Sequence, residues 1–299
     1  MHLLHNPLWQ HAPAFIHNWT EDRQRMALTM TLLIILAASF MRGFKEVIGL
    51  AVVVVASYLL LNLLVVGSGL AYLAWHPDLF ANWWSHVIEG QWYIEHSPLS
   101  GHGTLAILGI SVLLFPKLAL GLSGFETGVA VMPLIAGDPD DKPDVPTGRI
   151  RNTRKLLATA AGIMSVFLLG SAIVTATLIP PEALIHPGQA ADRALAYLAH
   201  SEGPYQVNPL FGEAFGTVYD LSTVIILSFA GLSAMAGLLN LVPQYLPRYG
   251  MAPEWTRAVR PLVILFTGIN LLVTWIFNAD VDAQGGAYAT GVLVLISSA

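Results

Sequence analysis

Phe115-Pro116-Lys117-Leu118-Ala119-Leu120-Gly121-Leu122-Ser123-Gly124-Phe125-Glu126-Thr127-Gly128 lies in the middle of an apolar run that extends from Thr104 to Gly137. As one continuous helix those thirty-four residues would measure about 51 Å, against roughly 30 Å of bilayer hydrocarbon. Pro116 removes a backbone donor, and Gly121, Gly124 and Gly128 lower the cost of leaving helical geometry. The stretch therefore reads as an unwound break between two half-helices. Glu126 and Lys117 are also the only charges well inside any apolar run. A buried ion costs at least ~2.5–3.5 kcal/mol at mid-bilayer, so each needs a partner or a water-filled cavity. An unwound backbone at that depth is tolerated only where it lines such a cavity. Glu126 is thus a candidate functional carboxylate; its other reading is a structural partner of Lys117 or a residue of a solvated vestibule. Lys117 either takes part in coupling or braces the break and snorkels.

The composition around this run says what solvent the chain meets. Hydrophobic residues make up 55% of it, charged residues 11%, and mean hydropathy is +0.62. A globular domain carries about twice that charged fraction, so most of the chain faces lipid. There is no cysteine, which excludes disulfides, cysteine-ligated zinc and thiol chemistry. A net charge of −5 without a basic tract gives nucleic acid nothing to bind. Residues 1–25 are polar and histidine-rich and do not read as a signal peptide.

Seven apolar runs are long enough to be candidate helical spans: Met26–Met41, Val47–Trp75, Thr104–Gly137, Leu156–Ile179, Leu221–Leu246, Leu262–Phe277 and Ala283–Ala299. None alternates with the period of two that a barrel strand requires. Arg42 and Lys45 flank the first connection, and the second, His76–Gly103, has no basic residue. Lys142, Arg149, Arg151, Arg154 and Lys155 crowd the third, and the fourth has only Arg193. Arg248, Arg257 and Arg260 lie in the fifth, and the sixth has only Asp280 and Asp282. Basic-rich and basic-poor loops alternate, which predicts loops 42–46, 138–155 and 248–260 in the cytoplasm and segment 1–25 outside. Arg23 and Arg25 dissent, partly offset by Glu21 and Asp22.

All ten histidines fall in the N-terminal segment or the two long outer loops, and their spacing matches no metal-ligand pattern. They read as interfacial residues, as do Trp75, Trp255 and Trp275 at span ends. Short surface helices are expected in the outer loops, notably at Ala190–His200. Ala230, Ser233, Ala234 and Gly237 form a small-residue face on the fifth span, which reads first as a packing surface. Ser233 is also a candidate oxygen donor to an ion. Tyr288 and Thr290 sit inside the last apolar run, as hydrogen-bonding residues or as part of a site.

A broken helix with an ionisable group at the break is the architecture of LeuT-type transporters. Leu122-Ser123-Gly124-Phe125-Glu126 resembles the Gly-x-Glu break in the sixth helix of amino acid–polyamine–organocation (APC) permeases. Arg42-Gly43-Phe44-Lys45-Glu46-Val47-Ile48-Gly49 resembles their loop between helices four and five. Leu246-Pro247-Arg248-Tyr249-Gly250-Met251-Ala252-Pro253 resembles the exit of their eighth helix. The resemblance covers nearly the whole chain and implies an all-α membrane protein with part of a 5+5 inverted-repeat fold. Its spans would correspond to family helices four to ten. Residues 26–75 would be the last two helices of the first repeat, and 104–299 the second repeat, with an external loop at 182–220. The family's first helix has no counterpart here, so the chain is expected to be an incomplete reading of a longer permease gene.

The resemblance implies a secondary active transporter of the plasma membrane, with amino acids as the commonest cargo. Its substrate would meet Gly121, Leu122, Ser123, Gly124, Phe125 and Tyr288; Glu126, Lys117 and Ser233 would serve coupling. Ser123 and Glu126 also resemble the hydroxyl–carboxylate pairing of KimA-type potassium importers, and Ala287-Tyr288-Ala289-Thr290-Gly291 resembles a tenth-helix stretch of KUP-type transporters. Amino acid transport coupled to protons is the leading expectation and potassium uptake the alternative, with K+ or Na+ as other coupling ions. No cofactor, metal or nucleic-acid partner is expected; the partners are the bilayer and a small-molecule or cation substrate. A seven-helix receptor is a third reading, although it has no use for a broken third span, and the last run has no lysine for retinal. No nucleophile–base pair or phosphate loop lies in the spans, so enzyme chemistry is not expected.

Overall fold

The computed structural model describes residues 4, 6–11, 18–42, 48–90, 103–118, 135–139, 141, 146–185, 188–245, 247, 250, 253, 255 and 258–298. Every regular element among them is a helix. A 3-10 turn at Pro7–His11 precedes α1 (Glu21–Arg42), α2 (Ile48–Trp75), α3 (Pro77–Ile88), α4 (Thr104–Leu118) and α5 (Thr147–Leu178). Two short helices follow, α6 (Pro181–Leu184) and α7 (Ala194–Ala199), then α8 (Glu213–Tyr245), α9 (Val259–Ile276) and α10 (Val281–Ser298). Six of the seven expected spans overlap one of these helices along most of their length, and of the third, Thr104–Gly137, the part to Leu118 is described as helix. Among the described residues five helices, at Glu21–Met41, Gly49–Trp75, Thr147–Leu178, Glu213–Asn240 and Val259–Ile276, are long and apolar enough to cross a bilayer. The chain is an all-α, multi-pass membrane protein.

Local chemistry sets the ends of the helices. Glu21 and Asp22 place negative charge in the first turn of α1, where the helix dipole favours it. Pro77 opens α3 with its φ already helical and no N–H to lose. At the end of α9, Asn278 and Ala279 are both left-handed (φ 51° and 53°), which ends that helix before α10 begins at Val281. Asp280 then accepts the backbone N–H of Ala283 at 3.1 Å.

α2 packs between α5 and α8, and α8 continues onto α1 and α9, which also pack on each other. α4 pairs with α10. Two apolar cores result. One joins Val65 and Leu73 of α2, Val174 and Leu178 of α5, Tyr219 of α8 and the 190–211 segment. The other joins Phe40 of α1, Leu232 and Met235 of α8 and Val263 of α9. Only 6–22% of each span window is buried within the protein, so the outward faces, such as Val166 and Val52, are surfaces for lipid.

Glycine lets α2 and α5 approach closely. A Cβ on Gly69 would stand 2.5 Å from Val174 Cγ1, and one on Gly170 would stand 2.8 Å from Val66 Cγ1. Each helix thus supplies a gap at one turn and a branched side chain at the next, the small-residue contact that membrane helices favour.

The helices differ from the sequence expectation in three ways. α8 starts at Glu213 rather than Leu221, which brings Asp220 inside a membrane helix. α5 starts at Thr147, so Arg149, Arg151, Arg154 and Lys155 sit on its first turns instead of in a loop. The expected surface helix at Ala190–His200 is not on the surface: Ala196, Tyr197, Leu198 and Ala199 are all buried against the bundle. Its polar-looking loop context hid four consecutive residues apolar enough to plug the end of the helix bundle.

Candidate functional site

Of the residues singled out from sequence, Gly121, Leu122, Ser123, Gly124, Phe125 and Glu126 lie outside the described residues, and so does the expected break. Lys117 is described in its backbone alone, within α4. Tyr288 is half-buried on α10, beside Ala289, which faces the interior. α4 and α10 pack together, so the run that leads toward Ser123 and Glu126 lies against the helix that carries Tyr288. Ser233 is exposed on α8, as are its small neighbours Ala230 and Ala234. The packed face of α8 is instead the one with Leu232, Met235 and Leu239.

The described polar centre is elsewhere, on the second and third turns of α8. Asp220 is fully buried, and its Oδ2 accepts the Asn6 amide at 2.9 Å and lies 2.8 Å from His200 Nε2. Asn6 also accepts the Leu8 N–H at 3.0 Å, which fixes the 3-10 turn over this end of the bundle. His200 caps the C-terminus of α7 and rests on Gly216 of α8, where any Cβ would overlap the imidazole ring. One residue before Asp220, the Tyr219 hydroxyl donates to Asn62 Oδ1 at 2.9 Å, and Asn62 Nδ2 donates to the Tyr58 carbonyl at 2.8 Å. Nearer the end of α2, Asn208 Nδ2 donates to Ser68 Oγ at 2.9 Å.

No family model, no curated protein and no solved structure matches the chain. What the centre does must come from its geometry. The His200 and Asp220 side chains are 4% and 0% exposed, and no described group of three or more metal-ligating residues surrounds them. A pair sealed this completely has no room for a substrate. It joins three parts of the chain, the N-terminal turn, the 190–212 segment and α8, and Tyr219 joins α8 to α2. The 190–212 segment is itself tied by Arg193, almost fully buried, whose guanidinium donates to Glu202 at 2.6 Å. Burial pushes the Tyr197 phenol above its usual range; Glu202 adds to the shift and Arg193 opposes it.

A second polar knot closes the opposite approach to α5. Asp141 accepts the backbone N–H groups of Gly148 (2.7 Å), Arg149 (2.9 Å) and Asp138 (3.2 Å), which with the Thr147 hydroxyl hold its carboxyl below the usual carboxylate range. Arg151 pairs with Asp138 at 2.8 Å, Arg149 Nε donates to the Ile135 carbonyl, and Asn152 donates to the Ala136 carbonyl. Asp138 and Asp141, with Thr147, Arg149, Arg151 and Asn152 of the first turns of α5, thus tie residues 135–141 to the start of that helix. Asp220, His200, Asn6, Asn62 and Tyr219 were not singled out from sequence. The visible signal was Asn62, an amide midway along an apolar run.

Proposed function

We propose that the protein is a secondary active transporter of the APC type that moves amino acids with protons across the plasma membrane. The single observation that carries this reading is the pairing of α4 with α10. α4, which leads in sequence toward the 119–126 stretch, packs on the helix that carries Tyr288. Ser123 and the backbone of Gly121–Phe125 would bind substrate there, and Glu126 would take up and release the coupling proton. In a hydrocarbon surround a carboxylate's affinity for protons rises, which is what a proton carrier needs.

The α1–α9 packing supports the inverted repeat. These two helices would be the fourth members of the two repeats, and a two-fold axis passing between repeats brings equivalent helices together. The alternation of basic loops, with segment 1–25 outside, supports the same orientation.

Potassium is the second reading, and the Ser123–Glu126 spacing together with Tyr288 favours it: a hydroxyl, a carboxylate and a phenol suit a dehydrated monovalent cation. Uptake of labelled amino acids and of rubidium under an imposed proton gradient separates the two. Glu126→Gln is expected to abolish proton-driven uptake of the accepted substrate. Unchanged uptake with an unchanged pH profile rejects the coupling role.

A further inference from the structure

α3 (Pro77–Ile88) is mostly apolar and yet has no buried residue. At about 100° per residue its side chains sort into three sectors. Leu79, Trp83 and Val87 share the first, half-buried where α3 packs on α2 and α5, with Leu79 against the first core. Phe80, Trp84 and Ile88 share the next; Phe80 is 41% and Trp84 49% exposed. Asp78, Asn82, Ser85 and His86, with Glu89 at the C-cap, form the third, and all are exposed. The Trp83 ring lies 5.5 Å from Phe80 and 6.1 Å from Trp84, so one aromatic cluster joins the packed sector to the open one.

The packing of α2 on α5 sets the level of this open sector. Gly170 faces Val66 and Gly69 faces Val174, so the contacts advance together along both helices, which are parallel and end at one level. The twenty-seven apolar residues of α2 to Trp75 measure about 40 Å, enough to carry that end through the hydrocarbon. Trp75 is 84% exposed there, as a ring at headgroup level is. α3 starts two residues later, at a proline that cannot continue the hydrogen-bond ladder of α2. We propose that α3 lies in the plane of the bilayer as an interfacial helix, with Phe80, Trp84 and Ile88 at the boundary of headgroups and acyl chains and Asp78, Asn82 and Ser85 in water. The His76–Gly103 connection has no lysine or arginine, so the contact rests on the aromatic rings and not on attraction to anionic lipid. It has a consequence for α4. The Ile88 carbonyl accepts the Gly103 N–H at 3.2 Å, one residue before α4 begins, so a helix held in the interface also fixes the depth at which the 104–137 run starts. The inference needs the bilayer and does not depend on the transported substrate.

The chain has no cysteine, so single nitroxide labels can be attached without background. Phe80→Cys, Trp84→Cys, Asn82→Cys and Ser85→Cys are each labelled in the full chain and reconstituted in phosphatidylcholine nanodiscs. Collisions of each label with oxygen, which concentrates in lipid, and with a water-soluble nickel chelate are then measured. At Phe80 and Trp84 oxygen collisions are expected to exceed chelate collisions severalfold, and at Asn82 and Ser85 the order is expected to reverse. The pattern is read across four positions, so one variant that fails to fold does not remove the test. Ready chelate access at all four positions puts the aromatic sector in water and overturns the proposal. Low access of both reagents at Phe80 and Trp84 means that protein covers them, a second copy or another chain, and overturns it too. Adding phosphatidylglycerol is expected to leave the pattern as it is; a pattern that appears only with the anionic lipid overturns the aromatic contact in favour of charge attraction.

Discussion

His200 Nε2 lies 2.8 Å from the Asp220 carboxylate, across the joint between the 190–212 segment and α8. Because both side chains are withdrawn from solvent, removing one takes a hydrogen-bond partner from a buried polar group. Such losses cost about 1–3 kcal/mol. His200→Ala and Asp220→Ala are each expected to lower stability by about that amount, and the double variant by much less than their sum. Thermal unfolding of the four proteins of the cycle measures this; additive losses would mean the two side chains act separately.

The α2–α5 seam gives an expectation of opposite kind, overpacking. Alanine at Gly69 puts a methyl group 2.5 Å from Val174, and the helices must separate or Val174 must leave its rotamer, at about 1–3 kcal/mol. Gly69→Ala is expected to destabilise and Val174→Ala in the same chain to recover most of the loss. Val174→Ala alone is expected to destabilise, because it empties a buried site. A double variant no better than Gly69→Ala would show that glycine is needed there for the backbone rather than for space.

The helices were legible from residues 26–75 and 156–299 because apolar length alone identifies a membrane helix, whatever packs on it. The α8 boundary was not, because Glu213 and Asp220 look like loop residues, and Asp220 is buried only where the 190–212 segment supplies His200. That pairing spans twenty residues in sequence and the Asn6 contact spans 214, and no local period encodes either. Ala196–Ala199 misled for the same reason: a four-residue apolar stretch is too short to read as core without its neighbours. The α4–α10 pairing was equally invisible, as contact between distant helices leaves no mark in either one. Gly121 to Glu126 lie outside the described residues and rest on sequence chemistry alone.

Asp141 gives a pH signature. Its folded pKa lies below the ordinary 3.8, so its stabilisation is fully present above that value and is lost as pH falls through the folded one. The stability gap between wild type and Asp141→Asn is therefore expected to be constant from neutral pH down to about pH 5, then to close in more acid solution. A gap that grows on acidification would contradict the hydrogen-bond origin of the shift. Amide exchange at Gly148 and Arg149, two of the three N–H groups it accepts, is expected to quicken in the variant at neutral pH.

Tyr219 and Asn62 test how much a hydrogen bond contributes inside the spans. Tyr219→Phe removes the donor to Asn62 Oδ1 while keeping the ring in the first core. In water-free surroundings an orphaned acceptor would suggest a large cost, yet interhelical bonds in membrane proteins average ~0.6 kcal/mol and reach about 1.7, because the unfolded helices also find partners. Asn62 keeps its bond to the Tyr58 carbonyl, so the loss is expected at the lower end, well below that of His200→Ala. Asn62→Leu removes the acceptor and the buried amide together and is expected to be nearly neutral against Tyr219→Phe as background. A Tyr219→Phe loss as large as that of Asp220→Ala would place Tyr219 and Asp220 in one cooperative network, with the α2–α8 contact and the 190–212 segment released together.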